Sequence, residues 1–308
     1  MFSADLMLRG DKMNLKTIIK LMDLRTLVAG FIPVLLGTIY SYYAFGQINL
    51  VYFILLTIAM ALVQSSTNMI NDYFDFKRGA ENENKGDEKA LVSGEATPKQ
   101  VKLIITIYLS TAAMIGVLIA SQTSYYILVV AFIGAIIATL YASGPLPIAY
   151  TPIGEIVSGF TMGTGITTTV IYINSGVFNI NTILVALPTS IFIGNIMLSN
   201  NLSDMKADKE AGRRTLAILI GKKNSEKLWV FNVIGLIVLT FLLFLIDIYP
   251  VTVLITVILL FPYKLIPDFL SYEKGIHTKE RTMGTVAKVG LKYHLAVVIG
   301  LLISIILR

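Results

Sequence analysis

The chain of 308 residues contains no cysteine and only two histidines, and charged residues make up only 14% of it. The absence of cysteine excludes disulfide bridges, thiolate metal sites and a catalytic thiol. Soluble domains usually carry about a quarter charged residues. Hydrophobic residues instead account for 55% of this chain. The composition therefore predicts a membrane protein.

Nine long apolar runs dominate the sequence, and most of them are long enough to cross the hydrocarbon core of a bilayer as helices. They lie at 26–46, 50–70, 103–120, 124–141, 153–174, 180–199, 228–246, 249–263 and 289–307. We expect an all-α, polytopic membrane protein, a bundle of nine transmembrane helices in a single domain at 26–308. Residues 1–25 precede this domain, and the stretch 13–25 is typical of an interfacial helix, with a simple cytoplasmic tail as the alternative.

The positions of lysine and arginine predict the orientation in the membrane. Of the 25 basic residues, 24 lie before residue 26 or within 77–102, 206–227 and 264–292, and only Arg308 lies elsewhere. With a cytoplasmic N-terminus, these 24 residues fall on the cytoplasmic side of nine spans, as the positive-inside rule expects. The net charge of +6 therefore indicates topology, and we expect no nucleic-acid partner.

Two polar segments stand out against the apolar background, at the predicted cytoplasmic ends of the second and sixth spans. Their asparagines and aspartates are Asn68, Asn71, Asp72 and Asp75 in the first segment, and Asn200, Asn201, Asp204 and Asp208 in the second. If the helices continue through these segments, spacings of three or four residues put an asparagine and two aspartates on one face of each helix. The sequence thus predicts two aspartate motifs that form a pseudo-repeat on one side of the membrane.

The residue types in these motifs favour magnesium and a phosphorylated ligand. Carboxylates stacked at the membrane edge are costly unless a cation lies between them. Carboxylate and amide oxygens suit Mg²⁺, which commonly shares its coordination with a phosphate. Basic residues follow each motif and suit the oxygens of a diphosphate; they are Lys77, Arg78, Lys206, Arg213 and Arg214. The alternative is that ordinary loop charges cap helices at a membrane surface, and the repetition of the pattern argues against it.

Several motifs resemble the UbiA superfamily of intramembrane prenyltransferases. The segment 200–221 (NNLSDMKADKEAGRRTLAILIG) resembles the second aspartate motif of that superfamily. The segments 71–79 (NDYFDFKRG), 33–38 (PVLLGT) and 143–155 (SGPLPIAYTPIGE) are similar to the branch that acts in bacterial menaquinone biosynthesis. Two positions depart from the family pattern, since Gly79 stands where an acid is common and Arg25 is not followed by proline.

The resemblance implies a bundle of nine helices with a polar chamber that faces the cytoplasm. It implies Mg²⁺-dependent transfer of a polyprenyl group from polyprenyl diphosphate to 1,4-dihydroxy-2-naphthoate, with loss of the carboxylate. Both aspartate motifs would bind the donor diphosphate through Mg²⁺. The metal ligands implied by motif position are Asp72, Asp75, Asp204, Asp208, Asn68 and Asn200, with Asn71 and Asn201 beside them.

Further residues are candidates for binding the two substrates. Arg25 either adds to the diphosphate site or holds the carboxylate of the acceptor. Glu155, an isolated charge in a long apolar stretch, either accepts a phenolic proton or caps the fifth span. Aromatic walls shield an allylic cation from water, and Tyr141 and Tyr150 lie at a suitable depth.

The prenyl tail is apolar, so we expect it to lie between helices or to emerge into membrane lipid. Small residues in the fifth span, Gly159, Gly163 and Gly165, predict close helix packing, with a groove for the tail as the alternative.

Two other functions compete with this interpretation. One is prenylation of another aromatic acceptor such as 4-hydroxybenzoate, but the segment 87–94 (DEKALVSG) lacks the Arg-Thr-x-x-Arg-Pro pattern expected for it. The other is secondary transport, for which coupling charges are expected near the middle of the membrane. Here the charges cluster at one face.

Overall fold

The computed structural model describes residues 14–77, 89–142, 144 and 146–308. Every regular element in these ranges is helical, which confirms the all-α prediction. The α-helices are α1 (Leu15–Met22), α2 (Leu27–Phe45), α3 (Leu50–Lys77), α4 (Pro98–Gln122), α5 (Tyr126–Ala142), α6 (Gly154–Ser158), α7 (Ile166–Ser175), α8 (Ile180–Leu184), α9 (Leu187–Glu210), α10 (Leu216–Ile220), α11 (Lys222–Leu245), α12 (Val251–Leu260), α13 (Leu265–Ser271) and α14 (Lys279–Leu307). A π-helical turn at Gly159–Gly165 joins α6 to α7.

Seven helical segments in the described ranges are long and apolar enough to cross a membrane. They are Leu27–Phe45, Leu50–Lys77, Pro98–Gln122, Gly154–Ser175, Ile180–Glu210, Lys222–Leu245 and Lys279–Leu307. The pair α12 and α13, bent by 44°, raises the number to eight if it counts as one span, and α5 is a shorter apolar helix. The chain is thus an integral membrane protein, but the structure supports seven or eight full-length spans where the sequence predicted nine.

The interruption between α12 and α13 has a local cause. Helix α12 ends at Leu260, and Phe261 adopts an extended backbone directly before Pro262. A residue that precedes proline is pushed out of the helical region, and proline cannot donate the backbone hydrogen bond that a continuing helix needs. The apolar run at 249–263 therefore breaks before it can form a straight span.

The last helix, α14, packs against α2, α9 and α12. Its inner face buries Tyr293 and His294, and both polar groups are hydrogen-bonded. The Tyr293 hydroxyl lies 2.8 Å from Thr240 Oγ1. The His294 ring lies 2.8 Å from Gly290 O through Nδ1 and 3.2 Å from Thr189 Oγ1 through Nε2. Since its partners are core groups of the bundle, His294 has a structural role.

The fifth predicted span packs closely against α9. A Cβ atom at Gly163 would lie 2.4 Å from Ser190 Cα, and one at Gly159 would lie 2.6 Å from Ser190 O. These distances are shorter than any carbon contact, so the two helices approach each other backbone to backbone. Gly159 and Gly163 therefore serve helix packing, and this packing sets the start of α6 against the polar end of α9.

Within the segment predicted as an interfacial helix, residues Leu15–Met22 form α1, which packs at the polar end of α3. Its Leu21 is buried in a cluster with Met69 of α3. On the outer side, Lys20 Nζ donates to Glu95 Oε1 at 2.7 Å. Helix α1 therefore attaches to the end of the bundle that carries the first aspartate motif.

Candidate active site

Both aspartate motifs lie on continuous helices, which is the condition under which their spacing puts the motif residues on one face. Helix α3 extends to Lys77 and helix α9 extends to Glu210, so each helix runs past its last aspartate. On α9 the last aspartate of the motif, Asp208, is only 2% exposed. A charged side chain in such a place needs a compensating partner.

Arg213 connects the two motifs. Its Nη2 donates to Asp75 Oδ1 at 3.1 Å, and its Nη1 lies 3.3 Å from Asp208 Oδ1. The guanidinium also stacks over the Tyr150 ring at 4.4 Å. Burial lowers the pKa of the Arg213 guanidinium, but the carboxylates of Asp208 and Asp75 raise it by more, so the pKa is raised overall. Arg213 therefore stays charged and holds carboxylates from α3 and α9 together.

Two lysines neutralise the other pair of aspartates. Lys89 Nζ donates to Asp72 Oδ1 at 2.5 Å. Lys279 Nζ, at the start of α14, donates to Asp204 Oδ2 at 2.6 Å. Both aspartates are partly buried, with side-chain exposures of 22% for Asp72 and 13% for Asp204. Each of the four motif aspartates is thus paired with a cationic side chain.

The asparagines of the motifs have different partners. The Asn68 amide nitrogen donates to Met22 O at 3.0 Å and to Thr26 Oγ1 at 2.7 Å. The Asn201 amide nitrogen donates to Glu155 Oε1 at 2.9 Å, and this contact is buried. Asn68 therefore ties α3 to the start of the first span, whereas Asn201 ties α9 to α6.

The other predicted site residues differ in how far they enter this cluster. Asn71 and Asn200 are half-buried on the motif helices, whereas three basic residues are exposed: Lys77, Lys206 and Arg214. Tyr150 contacts the cluster through Arg213, and the buried Tyr141 hydroxyl lies near the start of α6. The side chain of Arg25 and the whole of Arg78 lie outside the described residues.

The residues present fit a magnesium ion in their chemistry. In the described part of the chain, no three histidine, aspartate or glutamate side chains converge closely enough to hold a metal by themselves. Mg²⁺ usually needs only one or two protein carboxylates, because water and substrate phosphates complete its shell. Oxygen ligands on two facing helices, with cationic groups beside them, match that requirement.

Lys89 and Lys279 belong to the site, although the motif analysis did not single them out. Lys89 lies in the segment 87–94, which bears on topology and on the choice of acceptor, and Lys279 lies in a basic segment that bears on topology alone. Lys89 contacts an aspartate 17 residues earlier, and Lys279 contacts one 75 residues earlier. Spacing along one helix predicts contacts only between residues three or four positions apart. It therefore could not predict that either lysine contacts an aspartate of the motifs.

Comparison with known proteins agrees with this geometry. Residues 30–274 match the UbiA prenyltransferase family. The 1,4-dihydroxy-2-naphthoate octaprenyltransferase of Bacillus subtilis (strain 168) is 38% identical over 204 residues, which make up 66% of this chain and 65% of that protein. The UbiA prenyltransferase domain-containing protein 1 of Danio rerio is 27% identical over 195 residues, or 63% of this chain and 58% of that protein. The chain therefore spans less than two thirds of the length of these relatives.

The fold is also that of solved structures. A UbiA homolog from Archaeoglobus fulgidus, solved with GPP and Mg²⁺, superposes with a TM-score of 0.64 over 92% of this chain and 99% of that chain. The two sequences are 17% identical, so this likeness shows the fold alone. Because the family match extends over well more than half of its residues, the chain belongs to the UbiA prenyltransferase family.

Proposed function

We propose that the protein is an Mg²⁺-dependent prenyltransferase that joins the polyprenyl group of polyprenyl diphosphate to 1,4-dihydroxy-2-naphthoate, with release of CO₂, and so yields demethylmenaquinol, the quinol form of demethylmenaquinone. The observation that carries this proposal is the bridge from Asp75 through Arg213 to Asp208. It brings the polar ends of α3 and α9 together in a chain that has the UbiA fold. Partly buried charges at a membrane edge are generally functional.

The donor diphosphate would bind between the two motifs. The residues that would hold Mg²⁺ there are Asp72, Asp75, Asp204, Asp208, Asn68 and Asn200. When bound, Mg²⁺ neutralises negative charge on the diphosphate oxygens. Cationic side chains would contact the remaining oxygens; they are Arg213, Lys89 and Lys279, together with Lys77, Arg78, Lys206, Arg214 and Arg25.

In the reaction, the allylic carbon–oxygen bond breaks and its electron pair leaves with the diphosphate. The ring carbon that bears the carboxylate attacks the allylic cation, and the carbon–carbon bond to the carboxylate then breaks as CO₂ leaves. Negative charge grows on the leaving group, so cationic side chains already held near the aspartates stabilise it. The rings of Tyr141 and Tyr150 would shield the cation from water.

The choice of acceptor rests on the name of the Bacillus relative and on the segment 87–94, which lacks the Arg-Thr-x-x-Arg-Pro pattern. Prenylation of 4-hydroxybenzoate is the alternative within the family. Secondary transport, the alternative from another class, is disfavoured because the paired charges lie at one end of the helices.

We place the protein in a bacterial cell membrane, with its N-terminus and both motifs on the cytoplasmic side. The support is that a basic side chain from each of the four basic segments forms an ion pair either with another of these segments or with a motif helix. They are Lys20–Glu95, Lys89–Asp72, Arg213–Asp75 and Lys279–Asp204. The basic segments thus lie at one end of the bundle, as the positive-inside rule needs.

The test uses purified protein with a labelled polyprenyl diphosphate and several aromatic acids. We expect labelled product with 1,4-dihydroxy-2-naphthoate, loss of that product on addition of EDTA, and its return with excess Mg²⁺. Product with 4-hydroxybenzoate alone would move the activity to the alternative acceptor. Failure to form product with any aromatic acid would reject the proposed function.

A further inference from the structure

A second buried polar cluster lies next to the motifs, around Glu155. This residue sits in the first turn of α6, where a carboxylate is favoured by the helix N-terminus. It is 5% exposed, and its Oε1 accepts from Asn201 Nδ2 at 2.9 Å. Its Oε2 is buried and has no hydrogen-bond partner among the residues that the structure describes. A buried carboxyl oxygen left in this state is costly.

The hydroxyl of Tyr141 adds a second buried polar atom to this cluster. Its oxygen lies 3.5 Å from the position that a Cβ at Gly154 would take, beside Glu155. It makes no hydrogen bond of ordinary geometry within the described part of the chain, although the Ser158 side chain lies close enough to interact with it. Two neighbouring buried groups, one on α5 and one on α6, therefore have hydrogen-bonding capacity that the protein does not use.

The cluster is adjacent to the proposed diphosphate site. Asn201, Asp204 and Asp208 are spaced i, i+3 and i+7, so they share one face of α9. The rise of an α-helix places Asn201 roughly 4.5 Å deeper along the axis than Asp204. The connection from α5 to α6 also contains Tyr150. The Arg213 guanidinium stacks on the Tyr150 ring, with Cζ 4.4 Å from the ring centroid.

We infer that Glu155 Oε2 is the acceptor subsite: it accepts a hydrogen bond from a hydroxyl group of the aromatic substrate, with the Tyr141 hydroxyl beside it. A carboxyl group would repel a diphosphate, whereas it complements a phenolic O–H. Accepting this bond increases the electron density of the ring and so favours its attack on the allylic cation. Asn201 is then a positioning residue, because it holds the other oxygen of Glu155. The inference rests on the proposed function.

The experiment measures product formation by wild type and by Glu155→Gln. The concentration of one substrate is varied while the other is kept saturating, which gives a KM for the acceptor and a KM for the donor. Loss of a hydrogen bond to a buried carboxylate should raise the KM for the acceptor roughly 10- to 100-fold, with the KM for the donor unchanged. Wild type should also discriminate against an acceptor in which the hydroxyl is methylated, and Glu155→Gln should lose much of this discrimination. Equal increases in both KM values, or undiminished discrimination, would overturn the inference.

Two further variants separate binding from packing. Tyr141→Phe removes one hydroxyl and should raise the KM for the acceptor in the same direction, so it carries the test if Glu155→Gln does not fold. Ser199→Ala removes another buried hydroxyl, on the same helix as Asn201, and should leave both KM values unchanged. Absence of product from wild type with every hydroxylated acceptor would reject the proposed function itself, before any variant is made.

Discussion

Arg213 Nη2 lies 3.1 Å from Asp75 Oδ1, although 138 positions separate the two residues in the sequence. The same guanidinium holds Asp208, which is almost fully buried. Through these two contacts Arg213 joins the polar end of α3 to that of α9, so the two motifs lie next to each other.

Arg213→Ala should impair both stability and activity. Removal of one partner from a buried ion pair typically costs about 3–5 kcal/mol, since it leaves a buried charge uncompensated. We expect a lower thermal midpoint and a loss of turnover with labelled donor. Arg213→Lys should recover part of the stability but little of the activity, because an ammonium cannot bridge two carboxylates as a guanidinium does. The exposed Arg214 provides the control, and a midpoint for Arg213→Ala equal to that of Arg214→Ala would contradict the bridge.

Asp72→Asn and Asp204→Asn should each lower turnover by roughly two orders of magnitude or more, as expected when a preorganised charge clamp is lost. Asparagine has almost the same shape as aspartate, so both variants should fold. The measurement is product formation across a titration of Mg²⁺, with EDTA-treated wild type as the reference. Wild-type turnover in either variant, at normal protein levels, would remove that aspartate from the site.

Lys279 offers a test outside the residues 30–274 that match the family. If this lysine acts through Asp204, Lys279→Ala should lower kcat/KM for the donor in wild type and have little further effect in Asp204→Asn. Such non-additivity is the signature of two residues that interact directly. Lys288, an exposed residue of the same helix, provides the control. Fully additive effects would show that Lys279 does not act through the aspartate.

Helix type and the face shared by the motif residues could be predicted from the sequence, because both follow from periodicity. The spacing of Asn68, Asp72 and Asp75 predicted a shared face on condition that α3 continues through the motif, and α3 does continue to Lys77. The number of full-length spans was less predictable, since the run at 249–263 is interrupted before Pro262 and the run at 124–141 forms only the shorter helix α5. The apolar pattern indicates the length of a hydrophobic run, but it does not indicate that the backbone is extended at Phe261.

The partners of the charged residues could not be predicted in the same way. The sequence placed basic residues after each motif without showing that Arg213 enters the cluster while its neighbour Arg214 is exposed. The difference depends on how α9 ends and turns back towards Tyr150, which is a matter of tertiary packing. For Glu155, helix capping and site chemistry were both open, and the structure shows that a capping position and a contact with the motif helix coexist.

The absence of cysteine makes the orientation directly testable. Gln47 follows α2, and Lys223 lies in the first turn of α11; both are exposed. In right-side-out vesicles, a membrane-impermeant maleimide should label Gln47→Cys and should label Lys223→Cys only after permeabilisation, because basic segments are retained in the cytoplasm. The opposite pattern would reverse the proposed orientation.

Gly163→Ala tests the packing that sets Glu155 against Asn201. The added methyl group would lie 2.4 Å from Ser190 Cα, so the π-helical turn Gly159–Gly165 must move away from α9 and displace the adjoining α6. Overpacking of this kind costs roughly 1–3 kcal/mol, and the displaced Glu155 should also weaken acceptor binding. We expect a lower thermal midpoint together with a higher KM for the acceptor.

Gly116→Ala is the matched control, since a Cβ there meets no atom within 4 Å. In the interior of α4 this change should be neutral or stabilising by up to about 1 kcal/mol, because alanine favours helix more than glycine does. The two variants add the same methyl group to apolar helices, so their difference measures contact alone. If Gly163→Ala were as stable as Gly116→Ala, the backbones of the Gly159–Gly165 turn and α9 could not be in contact, and the placement of Glu155 beside the motif helix would be wrong.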